Sequence, residues 1–226
     1  MRCLVVKPHR LSATGFVGER LEGLGVELVD HVASEDGPPP SAVRFDAVLV
    51  MGAPWSVYGP TVEPWIGGVL DLLRESDERG VGVFGVCFGA QAMAAALGAE
   101  VRGAAAPELG WRSVETSDPA SVPTGPWFMW HSDTFDLPEG ARELARTPLG
   151  PQAFAIRRHL CVQFHPEAGM DVVVSWMDND ASDFLRAGMS PDEVLGETRR
   201  RERDARVRAA GLVDRFLAGA GVPSSP

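Results

Sequence analysis

The chain has 226 residues, 45% of them apolar and 23% charged, which is enough for a large core without a metal or disulfide staple and excludes wholesale disorder. Its 21 basic against 31 acidic residues leave a net charge of −10, a poor match for a nucleic-acid backbone. The cysteines at 3, 87 and 161 are too sparse and too odd in number for a disulfide framework, and no apolar run reaches the ~18 residues that a membrane span needs. These features predict one domain over residues 1–220 with a flexible tail over 221–226, in the cytoplasm, with no nucleic-acid or membrane partner.

Taken in chain order, residues 3–6 form a short β-rich run. Residues 14–24 read as a helix, with Phe16, Val17, Leu21 and Leu24 at helical spacing. Residues 26–32 are strand-like, and residues 34–41 form a Pro/Gly-rich loop. Residues 47–51 are continuously apolar between Asp46 and Gly52, as expected of a buried parallel strand. Residues 64–79 are helical with Pro64 in the first turn, residues 81–86 form another buried strand, and residues 89–97 form an Ala-rich helix. This alternation predicts βαβ units around a mainly parallel sheet covered on both faces. From about Val101 the pattern changes to short strands at 112–115, 127–130, 153–156 and 160–164, separated by turn signals, which predicts a small antiparallel flap. Residues 171–218 are mostly helical, with Ser190 before Pro191 as an N-cap.

Two segments carry chemistry. Residues 81–91 read Val-Gly-Val-Phe-Gly-Val-Cys-Phe-Gly-Ala-Gln, so a buried strand ends in a turn that carries Cys87 between Gly85 and Gly89, and a helix begins at once. This is the logic of a nucleophile elbow: the glycines leave room for a crowded turn, and the helix N-terminus favours a thiolate. The amide of Phe88 would point where an oxyanion forms. A small inert cysteine between strand and helix fits the same residues. The second segment, Cys161-Val-Gln-Phe-His-Pro-Glu167, ends a strand in His165 with Glu167 two residues on, on the same face of an extended chain. A thiol nucleophile needs such a base and such an orienting acceptor. A surface His and Glu at a strand end is the competing reading.

Together, Gly-x-Cys-x-Gly-x-Gln and the later His-Pro-Glu closely resemble the class I (triad) glutamine amidotransferases. Val50-Met-Gly-Ala-Pro-Trp-Ser-Val-Tyr58 is similar to that family's oxyanion loop. Glu108-Leu-Gly-Trp111 and Trp130-His-Ser-Asp-Thr-Phe-Asp-Leu-Pro138 resemble its stand-alone members akin to the glutaminase half of GMP synthase. The resemblance implies a flavodoxin-like three-layer α/β sandwich with its site at the carboxyl ends of the strands. It implies that Cys87 attacks the side-chain amide of glutamine, that His165 is its base and that Glu167 orients His165. It further implies an oxyanion hole from the amides of Gly52 and Phe88, and glutamine contacts from Gln91, His131, Ser132 and Asp133. No cofactor or metal is implied, and a separate synthetase would accept the ammonia. With the triad kept, a γ-glutamyl peptidase or hydrolase acting on other γ-glutamyl compounds is an alternative, and so is a catalytically weak binding or regulatory protein. A closed pocket around Trp55, Tyr58 and Trp130 would admit only glutamine, and an open one a larger leaving group. Two positions depart from the family pattern. Ala53 replaces a glycine, which costs stability or tilts the loop if that position needs positive φ and is harmless if Gly52 supplies the amide. Ser132 also replaces a glycine, narrowing the pocket or adding a hydroxyl.

Cys3 and Cys161 read as buried inert thiols, and His9 and His31 show no metal-ligand spacing. His159 follows Arg157 and Arg158 in what reads as a solvated hairpin turn. The mixed charges of residues 193–208 read as a solvated helix face.

Overall fold

The structure is a computed structural model that describes residues 1–221; beyond Gly221, the tail expected over 221–226 lies outside the described residues. Strands β1 (Arg2–Lys7), β2 (Glu27–Val32), β3 (Ala47–Val50), β4 (Gly82–Val86) and β10 (His159–Val162) are mutually parallel, in the order β2-β1-β3-β4-β10. Three strands extend the β10 edge by antiparallel pairing: β9 (Gly150–Ile156), β8 (Arg142–Thr147) and β6 (Glu115–Thr116). A separate two-stranded antiparallel sheet joins β5 (Val101–Arg112) to β7 (Trp127–Phe135). The expected mainly parallel α/β sheet with a small antiparallel addition is what forms.

Strand periodicity builds the layers, because successive side chains leave opposite faces. Cys3, Val5, Leu49, Phe84 and Val162 pack with Val17 and Leu21 of helix α1 (Gly15–Gly23) and with Leu212, Val213 and Phe216 of helix α6 (Pro191–Ala220). Leu4, Val6, Val48, Val50 and Val83 pack on the other face, against Val69 and Leu73 of helix α2 (Glu63–Arg79) and Ala90 and Met93 of helix α3 (Phe88–Ala96). Two further helices, α4 (Met170–Asn179) and α5 (Ser182–Arg186), follow β10. Ser190 opens α6 as expected and forms a capping box with Glu193. Among the described residues no helix is long and apolar enough to cross a membrane.

The second half departs from the sequence expectation in three places. Strand β5 begins at Val101, well before 112, because its first half is largely exposed and carries no alternation. Strand β8 has no continuous apolar signal, since only Leu144, Ala145 and Thr147 turn inward. His159 is not in a solvated turn. Arg157 and Arg158 make the turn, and His159 starts β10 at 3% exposure, where its Nδ1 accepts from the Val83 amide (3.1 Å) and its Nε2 faces Asp77 Oδ1 (3.1 Å). Burial lowers its pKa against the pull of Asp77.

This topology decides where a site lies. The chain moves from β1 to β2 on one side, then to β3 and β4 on the other, so the strand order reverses beside β1. The loops after β1, β3, β4 and β10 therefore diverge around one crevice at the carboxyl ends of the strands.

Candidate active site

The crevice is a cavity of about 480 Å³ lined by residues from all of those loops, among them Ser12, Gly52, Cys87 and His165. Cys87 sits between β4 and α3 with φ 50° and ψ −106°, a conformation rare for a residue with a side chain. Its surroundings force the flanking glycines. A Cβ on Gly85 would meet the Gly89 carbonyl at 2.8 Å, and one on Gly89 would meet the Val50 carbonyl oxygen at 2.2 Å. The Cys87 amide donates to the Val162 carbonyl at 2.8 Å, so the elbow is tied to the end of β10. Phe88 is the first residue of α3, and such opening amides have no partner within the helix.

His165 and Glu167 are brought together by a turn after β10, in which the Ala168 amide donates to the His165 carbonyl (3.4 Å), rather than by the extended chain expected from their spacing. The His165 amide donates to the Phe128 carbonyl (2.8 Å), which pins the segment against β7. Nδ1 of His165 faces Glu167 Oε1 at 2.8 Å, and both side chains are buried. Nε2 has no hydrogen-bond partner. Burial pulls the His165 pKa down, but the Glu167 carboxylate and the nearby Cys87 thiol outweigh it and hold it well above the ordinary imidazole value. The ring of Trp176 meets that of His165 edge-on at 4.9 Å, covering it from α4.

Gly52 passes directly beside this pair, since a Cβ there would stand 3.0 Å from His165 Cε1 and 3.5 Å from Cys87 Cβ. Its carbonyl accepts from the Ser12 hydroxyl at 2.9 Å, which orients the loop peptide. Ala53 is not strained: Cys87 and Arg157 are the non-glycine residues with positive φ among the described residues. The loop needs its glycine at 52 for close approach and tolerates alanine at 53.

All four expected substrate contacts line the cavity, but in different ways. Gln91 is buried, and its Nε2 donates to Gln163 Oε1 at 3.2 Å. His131 lies at the back wall. Its Nδ1 is 3.0 Å from the Asp133 carbonyl, which requires the proton on Nδ1, and its Nε2 is 3.5 Å from Glu108 Oε2. Burial lowers the His131 pKa to about 4, so the ring is neutral near pH 7. Glu108, itself raised by burial, is held by Thr147 (3.0 Å) and Gln152 (2.6 Å). Ser132 is exposed at the mouth, and the Asp133 carboxylate accepts from the Tyr58 hydroxyl at 2.8 Å. Trp55 and Trp130 line the cavity, whereas Trp111 turns away and donates to Thr198 Oγ1 (2.9 Å).

The sequence reading missed two parts of the site. One is the wall from α4 and α5, where Trp176, Asp180 and Asp183 line the cavity and the Trp130 indole donates to Asp183 Oδ2 at 2.9 Å. Nothing local in the sequence marks that wall. The other is Gln163, fully buried, whose Nε2 stands 3.6 Å from Cys87 Sγ. A signal was present, because Gln163 stands two residues before His165 in the same short motif. Cys3 and Cys161 are buried with their thiols pushed up by desolvation, Cys3 to about 12, so neither supplies a thiolate. Among the described residues no group of three or more His, Cys, Asp or Glu side chains could hold a metal ion.

Comparison with known proteins places this geometry in context. The profile of the family described as "Glutamine amidotransferase class-I" matches residues 16–179. The chain is 32% identical over 172 residues to a GMP synthase (glutamine-hydrolyzing) of Anaplasma marginale, covering 69% of this chain and 32% of that one. It is 32% identical over 221 residues to a GMP synthase (glutamine-hydrolyzing) of Aeropyrum pernix, covering 90% of this chain and 42% of that one. The chain thus spans less than half the length of these curated relatives. A solved glutamine amidotransferase from Thermotoga maritima shares the fold with a TM-score of 0.87 at 22% identity, over 96% of this chain and 98% of that one.

Proposed function

The chain belongs to the glutamine amidotransferase class-I family, and from that membership we propose that it hydrolyses the side-chain amide of L-glutamine through a γ-glutamyl thioester on Cys87. The observation that carries the reading is the meeting, in one cavity, of a cysteine on a strand-to-helix elbow and a buried His165–Glu167 pair 2.8 Å apart whose Nε2 is free. Glu167 accepts a hydrogen bond from Nδ1–H of His165 and leaves Nε2 to exchange a proton with the thiol. The Cys87 thiolate attacks the carboxamide carbon, a C–S bond forms, and the carbonyl oxygen becomes an oxyanion received by the amides of Gly52 and Phe88. Donors of that kind contribute about 10²–10³ in rate each. The oxyanion collapses, the C–N bond breaks, and the His165 imidazolium gives its proton to the departing ammonia. Water, losing a proton to His165, then attacks the thioester, and glutamate leaves as the thiolate is restored.

In this reading Gln91, His131, Ser132 and Asp133 bound the glutamyl part of the substrate. A separate synthetase consumes the ammonia, which the name shared by the curated relatives supports. One observation favours a second reading on the same triad. The cavity, about 480 Å³ with Trp55, Trp130 and Trp176 in its walls, is of the size that takes ligands larger than one amino acid. It therefore suits a γ-glutamyl conjugate with a bulky leaving group. Glutamate release from L-glutamine, with Cys87→Ala as the blank, tests the first reading. Release from a γ-glutamyl dipeptide at higher kcat/KM than from glutamine would favour the second.

A further inference from the structure

We propose that Gln163 is a catalytic residue, donating a hydrogen bond from its carboxamide nitrogen to the Cys87 sulfur while Gln91 braces it, so that the nucleophile has a neutral partner besides His165. The assignment rests on the reading of Cys87 as the nucleophile.

Gln163 lies in the bend that follows β10, two residues before His165. Its amide donates to the Gln152 carbonyl at 2.8 Å, which fixes the backbone, and its side chain turns toward Gln91 and Cys87. The side chain is fully buried, and its chain neighbours Val162 and Phe164 are both core residues. At such a position an aliphatic residue is the cheaper choice, because a buried carboxamide costs free energy unless its polar atoms are paired. Both of its polar atoms are paired, and both partners belong to the site. Oε1 accepts from Gln91 Nε2 (3.2 Å) and Nε2 reaches Cys87 Sγ (3.6 Å). With the oxygen held by Gln91, the N–H groups are left facing the sulfur.

The sulfur has need of that donor. Its other neighbour within reach is the Trp130 carbonyl at 4.0 Å, which accepts from a thiol and offers nothing to a thiolate. His165 donates while it is protonated, and surrenders that proton to the leaving group. Gln163 makes and breaks no covalent bond and keeps its protons throughout. It therefore stabilises the thiolate before attack and again when the thioester expels it. Gln91, expected as a substrate contact, acquires a second task one turn into α3: orienting Gln163.

The test is alkylation of Cys87 by iodoacetamide at neutral pH, followed together with the ultraviolet thiolate band and glutamate release. Cys87 lines the cavity, whereas Cys3 and Cys161 lie at 0% exposure away from it with thiols pushed up by burial, so band and alkylation report on Cys87. Gln163→Leu, with its fold checked by circular dichroism, should slow alkylation and lower kcat/KM by tenfold or more, the worth of about one hydrogen bond to a charged group, with KM little changed. Gln163→Glu, the same shape with a carboxylate toward the sulfur, should lose more. Gln91→Met should slow alkylation less than either. Unchanged alkylation and an unchanged thiolate band in folded Gln163→Leu and Gln163→Glu would overturn the assignment, and Cys87-dependent glutamate release would then leave the nucleophile itself standing. Glutamate release that survives Cys87→Ala would remove the nucleophile and this assignment together.

Discussion

Cys87 holds a backbone conformation that costs of the order of 1–3 kcal/mol for a residue with a side chain, and the elbow persists because β4, α3 and β10 all fix it. A buried inert cysteine would have no use for that strain. Cys87→Ala keeps the Cβ and the conformation, so it should fold with nearly unchanged Tm and release no glutamate above background; near wild-type release would sink the mechanism. In the proposed mechanism Glu167 acts through His165. Glu167→Gln should lower kcat by up to ~10⁴ while leaving KM within a few-fold, because the amide no longer holds the imidazole in the productive tautomer. Gly52→Ala tests close approach: its Cβ would stand 3.0 Å from His165 Cε1 and must shift either the ring or the loop. Steady-state kinetics should show a kcat loss with a small change in Tm. The elbow and the His-Pro-Glu segment were legible in sequence because each is a local pattern with a chemical reason. Glu108 was read as part of a motif without a role, because its partners Thr147, Gln152 and His131 come from three other strands.

At the scale of elements, helix α6, the longest among the described residues, covers one face of the sheet together with α1. Phe216 stacks on Phe84 of β4 with centroids 5.4 Å apart and is nearly fully buried. Phe216→Ala should cost about 3–5 kcal/mol, read as a drop in the urea midpoint. Ser190→Ala removes half of the capping box and should cost about 1 kcal/mol with kcat untouched, since the cap lies outside the cavity-lining loops. The parallel half of the sheet was readable because its inner strands β3 and β4 are buried on both faces and stand out as continuous runs free of charged residues. The antiparallel half was read short. Strand β5 is exposed for much of its length and β8 has no regular alternation, and their pairing, not their composition, makes them strands.

Across the whole molecule, buried histidines set opposing pH dependences. His131 and His159 are held below the ordinary value near 6.5, so the unfolded chain binds more protons than the folded one as pH falls. Their contribution is present above pH 6.5 and is lost toward acid, for His131 through the window from about 6.5 to about 4, by about 3 kcal/mol at full protonation. His165 is held above its ordinary value, so its contribution is complete below about pH 6.5 and is lost as pH rises through the folded value. The urea midpoint should therefore peak near neutral pH. His131→Asn should flatten the acid limb between pH 6.5 and 4.5, and His165→Ala the alkaline limb; an unchanged profile in either variant would refute that sign for that residue.

From its sequence alone this protein was readable as an α/β chain with a cysteine nucleophile motif, a His-Pro-Glu partner and an oxyanion loop. Strand periodicity, glycine spacing and helix capping act over a few residues and leave their mark in order along the chain. Only the tertiary structure decided that the loops after β1, β3, β4 and β10 converge on one cavity, that α4 and α5 wall it with Trp176 and Asp183, and that Gln163 reaches the sulfur under the hold of Gln91. Those contacts join residues far apart in the chain, and their energy comes from burial and hydrogen bonding that exist once the layers have closed.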